Sequence, residues 1–135
     1  MSVEKNADGL IVLHSARRVE DVIARLKQMM AARGLQIFAD LNFTADAAAE
    51  EIQLRPTRML IAGNPRAGTP LIEAAPTVAI DLPLKVLVWS EGENSTRVAY
   101  NDPEYLGRRH GLSADLIRNI AGFGVLVEKA TRGEP

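Results

Sequence analysis

Apolar residues recur at helical spacing in two long stretches, one near each end of the chain. In the first stretch, Ser15 is placed to cap a helix, and Gly34 follows where a left-handed helix end is common. The apolar face of this helix consists of Val19, Val22, Ile23, Leu26, Met29 and Met30. In the last stretch, Ser113 is placed to cap a helix with an inner face of Leu116, Ile117, Ile120, Phe123, Gly124 and Val127. Gly122 and Gly124 each lower helix propensity by about 1 kcal/mol relative to alanine, which we interpret as close packing of this helix against a sheet.

Shorter apolar or alternating runs predict five strands. They cover residues 10–14, 35–41, 57–62, 84–89 and 96–100, and the last two form an antiparallel hairpin. Segment 45–53 is rich in alanine and acidic residues, and it is either a short helix or an ordered excursion.

Two proline-containing cap signals predict short connecting helices. Thr69 followed by Pro70 predicts a helix of about two turns that ends before Pro76. Asp102 followed by Pro103 predicts another helix, which ends at Gly111.

This order of elements predicts an α+β fold. We expect a single-layer, mostly antiparallel sheet packed on one face by the two longer helices. A strict repeating βαβ pattern is missing, which argues against a doubly wound nucleotide-binding fold. The length of 135 residues, with 47% hydrophobic residues, fits a single domain over residues 1–135.

Charge and cysteine content exclude several classes of function. The formal net charge of −1 argues against a general nucleic-acid binder. The absence of cysteine excludes disulfides, thiolate zinc sites and cysteine nucleophiles. No apolar run reaches the roughly 18 residues of a membrane span. We therefore expect a cytoplasmic protein with neither a nucleic acid nor a membrane as partner.

Three stretches of the sequence are similar to a known family. They read GNPRAGTPLIEAAPTVAID over 63–81, LPLKVLVW over 82–89 and YNDPEYLGRRHGL over 100–112. Together they resemble DUF302, a family of uncharacterised bacterial and archaeal proteins, with the resemblance extending over about residues 10–127. The resemblance implies a TBP-like β-α-β-β-β-β-α fold with short connecting helices, and it implies no established activity. Many relatives look as though they have an Asp-His pair after the second strand, where this chain has Asn42-Phe43.

The glycine-rich turn 63–68 is the first candidate binding element. Its two glycines have P-loop spacing, but Thr69 and Pro70 occupy the positions of the required lysine and hydroxyl residue. A P-loop is therefore rejected. Two interpretations of the turn stay open, a structural turn and an anion site beside Arg66.

Isolated polar and aromatic side chains follow this turn within an apolar part of the chain. Asp81 either caps backbone donors of the bend 76–83 or serves as the anchor of a pocket. Trp89 and Tyr100 are possible cross-strand neighbours, whose rings either pack against each other or contribute to a binding site. Lys85 is expected on the solvated sheet face or an edge. The predicted ligand-binding residues are Asn64, Arg66, Thr69, Asp81, Lys85, Trp89, Tyr100 and Asn101.

Metal, cofactor and serine chemistry have no visible support. His14 and His110 are far apart in sequence and lack metal-site spacing, so no metal and no cofactor are predicted. Ser15 and Ser113 are interpreted as helix caps, and no GxSxG motif is present.

Three functions remain. The leading hypothesis is a non-enzymatic homodimer that binds a small molecule or metabolite between the 63–69 loop, the bend around Asp81 and the hairpin. The first alternative is a protein–protein interaction module that uses a sheet edge or an apolar helix face. The second is an enzyme with Asp81 as acid or base, which requires Tyr100 or His110 within hydrogen-bond reach.

Overall fold

Six strands form one antiparallel sheet in a computed structural model, which describes residues 3–134. The spatial order is β1-β2-β6-β5-β4-β3, and every neighbouring pair is antiparallel. The strands are β1 Val3–Lys5, β2 Leu10–Ser15, β3 Gln36–Asn42, β4 Thr57–Gly63, β5 Leu84–Gly92 and β6 Ser95–Asn101. The α+β class and the hairpin are thus confirmed. Strand β1 was not predicted.

Five α-helices and one 3-10 helix connect and cover these strands. They are α1 Val19–Ala32, α2 Phe43–Ala49, α3 Pro65–Ala74, the 3-10 helix Pro76–Asp81, α4 Pro103–His110 and α5 Ala114–Arg132. The uncertain segment 45–53 is therefore partly helical. Helices α1 and α5 contact each other and pack on one face of the sheet.

The core lies between this sheet face and the two long helices. Residues paired across neighbouring strands point to the same face. One such row joins Leu13, Val98 and Val88, all fully buried. Helix α1 adds Leu26 and Met30 to the same core, also fully buried. Burial of these side chains contributes about 1.5–3 kcal/mol each and holds the helices to the sheet.

The opposite face of the sheet also carries an apolar row. Pairing across five strands aligns Val12, Ala99, Leu87, Met59 and Leu41 on the side away from α1 and α5. Ala99 is buried among its neighbours, and the other four side chains are partly exposed. We call this row the open sheet face.

Two predicted helix starts are wrong. Ser15 belongs to β2, and α1 begins after Arg18, which makes no side-chain cap. Helix α3 begins five residues earlier than Thr69 and Pro70 predict, because Asn64 accepts a hydrogen bond from the Arg66 amide at 2.9 Å and Pro65 occupies the first turn. Pro70 consequently lies inside α3.

Four predicted helix termini are confirmed. Asp102 caps α4, and Gly111 follows its last residue in the left-handed conformation, with φ of 69°. Ser113 caps α5 by accepting a hydrogen bond from the Leu116 amide. Gly34, with φ of 71°, follows the end of α1.

Candidate functional site

A cavity of about 510 Å³ lies between α3, the bend that leads into β5, and α5. We call it the α3–α5 cavity. Most of its lining is apolar. The larger apolar side chains come from these elements, from the turn after α1 and from β3, and they are Leu35, Phe38, Pro65, Ile72, Leu82, Pro83, Leu84, Ile120, Phe123 and Leu126. Its volume and lining are typical of a small-molecule pocket.

Glycine residues shape the cavity in two ways. A Cβ atom on Gly63 would lie 3.4 Å from the Cβ of Pro83, so this glycine brings β4 close to the bend. A Cβ atom on Gly122 would meet no heavy atom within 4 Å, although Gly122 lines the cavity. Our close-packing interpretation is therefore wrong for Gly122, whose missing side chain leaves open space. It is confirmed for Gly124, where a Cβ atom would lie 2.8 Å from the Tyr100 hydroxyl.

A few polar groups interrupt the apolar lining. The Asn64 side-chain oxygen is used by the Arg66 amide, which leaves the Asn64 NH₂ group available. The Asn119 NH₂ group donates to the Ala67 carbonyl at 3.2 Å, which leaves the Asn119 oxygen available. Arg33 is exposed and makes no ion pair with any residue of 3–134. The cavity therefore combines apolar walls with one donor amide, one acceptor amide, one cationic side chain and the Thr69 side chain.

The structure brings only part of the predicted site into this cavity. Asn64 and Thr69 line it. The other predicted residues lie elsewhere, namely Arg66, Asp81, Lys85, Trp89, Tyr100 and Asn101. The sequence predicted helix α5 but not its contribution of Asn119, Gly122 and Phe123 to the cavity, and Gly122 was the one available signal.

Asp81 belongs to a separate cluster of polar side chains. Both of its carboxylate oxygens accept hydrogen bonds from Arg109 Nη1, at 3.0 and 2.9 Å. His110 Nε2 lies 2.5 Å from Asp81 Oδ2, and His110 Nδ1 lies 2.9 Å from Thr77 Oγ1. The hydrogen bonds of Asp81 within residues 3–134 thus go to α4 and not to the backbone of its own bend. Of its two expected partners, His110 is within reach, whereas Tyr100 packs against Phe123.

The predicted cross-strand contact between Trp89 and Tyr100 is wrong. Trp89 pairs in register with Arg97, and Tyr100 pairs with Val86, so the two rings lie on opposite faces. Trp89 Nε1 donates to Glu91 Oε1 at 2.8 Å, and this bond lowers the pKa of Glu91 below its usual value.

Lys85 and Asn101 also lie on the face opposite α1 and α5. Lys85 pairs in register with Ile61 there, and its Nζ donates to the Pro83 carbonyl at 3.3 Å. Asn101 pairs with Leu10 at the end of β6.

Tyr100 and Asp40, which also lie outside the cavity, have shifted pKa values as well. Burial raises the pKa of Tyr100 to about 12, with further contributions from the negative charges of Glu128 and Asp102. Hydrogen bonds from Lys27 and then Arg58 hold the pKa of Asp40 below its usual value. The ion pairs of Asp40 with Lys27 and Arg58 join α1, β3 and β4 on the helix-covered side.

The described part of the chain lacks two other features, a metal-binding cluster and a membrane-spanning helix. Residues 3–134 contain no group of three or more His, Cys, Asp or Glu side chains arranged to hold a metal ion. Across the same range, no helix combines the length and apolar character needed to cross a membrane.

Comparisons with known proteins place the chain within one family. Residues 11–124 match the family described as "Domain of unknown function DUF302". A solved structure described as "uncharacterized conserved protein DUF302 from Bacillus stearothermophilus" superposes with a TM-score of 0.76 at 16% identity, covering 93% of this chain and 98% of that one. This similarity shows that the two proteins share a fold.

Curated relatives also match, over part of their length. Proteins named "Fluoride-specific ion channel FluC 1" from Brucella suis biovar 1 (strain 1330) and from Brucella abortus biovar 1 (strain 9-941) are each 34% identical over 126 residues. The match covers 90% of this chain but 50% and 47% of those proteins. The chain therefore spans about half the length of the curated relatives that it matches.

Proposed function

The chain belongs to the DUF302 family, and we propose that it binds an apolar small molecule in the α3–α5 cavity. The single observation that carries this proposal is a cavity of about 510 Å³ with mostly apolar walls and few polar groups. An apolar ligand gains about 25 cal/mol for each Å² of its surface removed from water. A Cβ atom on Gly122 would meet no heavy atom within 4 Å, so a ligand at this part of the wall displaces no packed side chain.

The polar groups of the cavity indicate the kind of head group that the ligand carries. Asn64 offers a free NH₂ donor, and Arg33 supplies a positive charge without a protein partner in residues 3–134. Both favour an acceptor or an anion. We therefore expect a ligand with an apolar body and one carboxylate or similar group, bound without covalent chemistry.

Paired titrations of decanoate and decanol test both parts of this proposal. The two probes share an alkyl chain and differ in the head group, so their difference isolates the contribution of charge. We expect both to bind. Because a hydrogen bond to a charged group contributes about 1.5–3 kcal/mol, we expect Arg33→Gln to weaken decanoate binding about tenfold or more and to leave decanol binding unchanged.

Arg66→Gln is the matched control, because Arg66 lies on α3 but does not line the cavity. Isothermal titration calorimetry gives the affinities. Failure of both probes to bind the wild-type chain at millimolar concentration contradicts the proposal. If Arg66→Gln weakens decanoate and Arg33→Gln does not, the anion site lies at the turn 63–68.

The same titration includes sodium fluoride, because of the names that the Brucella relatives carry. Fluoride is a small, strongly hydrated anion, and a mostly apolar wall does not replace its hydration. We expect no heat of binding from this chain. Saturable fluoride binding would point to a function closer to that in the relatives' names.

We also propose that two copies of the chain associate through the open sheet face. Val12, Leu87 and Met59 form an apolar strip across three strands and are partly exposed. Contact between two such strips removes this apolar surface from water. The alternative occupant is a different protein.

Size-exclusion chromatography with light scattering tests the homodimer. Leu87→Lys and Val12→Lys are expected to give monomers, because each places a charge in the strip. Ile52→Lys is the control, since Ile52 is 60% exposed in the loop after α2. A monomeric wild-type chain, or a dimer that survives both charged variants, contradicts this interface.

A further inference from the structure

Thr77, His110 and Asp81 form a continuous hydrogen-bonded chain outside the α3–α5 cavity. Thr77 Oγ1 lies 2.9 Å from His110 Nδ1, and His110 Nε2 lies 2.5 Å from Asp81 Oδ2. Thr77 and Asp81 both lie on the 3-10 helix, and His110 is the last residue of α4. The imidazole therefore bridges two side chains from one short helix.

The direction of each hydrogen bond follows from the chemistry of the groups. The Asp81 carboxylate only accepts, and it already accepts two hydrogen bonds from Arg109, so His110 Nε2 carries the hydrogen. In the neutral imidazole the other nitrogen, Nδ1, then has a free lone pair and accepts from the Thr77 hydroxyl. Asp81 thus positions the ring with its basic nitrogen toward a hydroxyl proton.

Burial differs sharply along this chain. The His110 side chain is 4% exposed and the Asp81 side chain 13% exposed, whereas Thr77 is an exposed residue. The side chains of the base and its positioning carboxylate are largely shielded from water, while the residue that carries the hydroxyl is exposed. A hydroxyl, a base and a group that orients the base are the parts of an activated nucleophile.

We propose that Thr77 is a nucleophile toward activated esters, with His110 as its general base. The Thr77 oxygen forms a bond to the acyl carbon, and the bond from that carbon to the leaving oxygen breaks. The Thr77 proton passes to His110 Nδ1 and from there to the leaving group or to water. The products are an acyl ester on Thr77 and a free alcohol or phenol, and water regenerates the hydroxyl by hydrolysis.

This activity does not depend on ligand binding in the cavity. The proposal rests on the three side chains alone, and its substrate class is small acyl esters with a good leaving group. The cavity proposal and the acylation proposal are therefore tested by separate experiments.

The experiment treats the full chain with p-nitrophenyl acetate. It follows nitrophenolate release and then locates the acetyl group by peptide mass mapping. We expect an acetyl group on Thr77 in the wild-type chain, none on this position in Thr77→Val, and retention in Thr77→Ser. General-base catalysis contributes about 100-fold or more, so His110→Gln is expected to slow acetylation of Thr77 by about that factor.

Further variants separate chemistry from folding. Asp81→Asn is expected to slow acetylation and Asp81→Glu to restore part of it, a recovery that loss of the fold does not give. Arg108→Gln is the control, because Arg108 is exposed on the same helix and has no ion-pair partner in the described range. Its rate is expected to equal that of the wild type.

Three results would overturn the proposal. The first is acetylation confined to lysines and the amino terminus in the wild-type chain. The second is an unchanged acetylation rate at position 77 in a folded His110→Gln variant. If His110→Gln fails to fold, Thr77→Val still tests the proposal, because Thr77 is exposed and its replacement leaves the core intact. Equal nitrophenolate release from Thr77→Val and the wild type also overturns it.

Discussion

Replacing Gly122 by leucine is expected to raise the stability of the chain and abolish ligand binding. Gly122 lies within α5 and lines the α3–α5 cavity, and a Cβ atom there meets no heavy atom within 4 Å. Removing a glycine from a helix interior gains about 1 kcal/mol. A leucine side chain adds partial burial against apolar walls at about 25 cal/mol per Å². We expect a gain of about 1–2 kcal/mol, which corresponds to a rise of roughly 3–6 °C in Tm.

Thermal unfolding followed by circular dichroism measures the stability, and calorimetry with decanoate measures the binding. Gly122→Ala separates the two effects, since it improves helix propensity by about 1 kcal/mol and fills little of the cavity. Gly124→Ala is the control of opposite sign. Its Cβ atom would lie 2.8 Å from the Tyr100 hydroxyl, so we expect a loss of about 1 kcal/mol or more in spite of the better propensity.

The reasoning is refuted if Gly122→Leu lowers Tm, because the space beside this residue would then be too small for a side chain. It is also refuted if Gly122→Leu binds decanoate as tightly as the wild type. In that case the ligand occupies another part of the molecule.

Three further predictions concern stability. Burial raises the pKa of Tyr100 to about 12, against the usual 10.0. The stability linked to this shift is fully present below pH 10 and is lost as pH rises toward 12. In alkaline urea titrations, the free energy of unfolding of Tyr100→Phe should therefore fall by about 2 kcal/mol less than that of the wild type across this window. The pKa of Asp40 is lowered, so the stability that its carboxylate contributes is present above the unfolded-state pKa and is lost as pH falls. Asp40→Asn should lower the free energy of unfolding by up to about 1 kcal/mol at pH 7. The difference between variant and wild type should shrink toward about pH 3 in acid unfolding curves. Asp102 is 4% exposed, caps α4 and pairs with Lys5 at 3.0 Å, so Asp102→Ala should lower the free energy of unfolding by about 2 kcal/mol or more in urea titrations.

Most of the secondary structure could be predicted because its signals are local. Helical periodicity located α1 and α5, and capping residues located the start of α5 and both ends of α4. Strand β1 has three exposed residues, and its pairing with β2 is a tertiary contact that no local pattern reveals. At α3, two cap-and-proline signals occur five residues apart, and the first of them begins the helix.

The candidate site was harder to predict because it depends on contacts distant in sequence. Arg109 and His110 lie 28 and 29 positions from Asp81, and nothing in the local pattern joins them. The placement of Trp89 and Tyr100 depended on strand register. A bulge between Ser90 and Gly92 shifts the β5–β6 pairing by one residue. A shift of one residue reverses which face a side chain occupies, and this separates the two rings.

Native mass spectrometry with added decanoate tests the central claim most directly, because it counts ligands and subunits in one spectrum. The account predicts one decanoate per wild-type chain and none on Gly122→Leu, with the same number of subunits in both proteins. Equal decanoate binding by the two proteins, or none by the wild type, would contradict a binding site in the α3–α5 cavity.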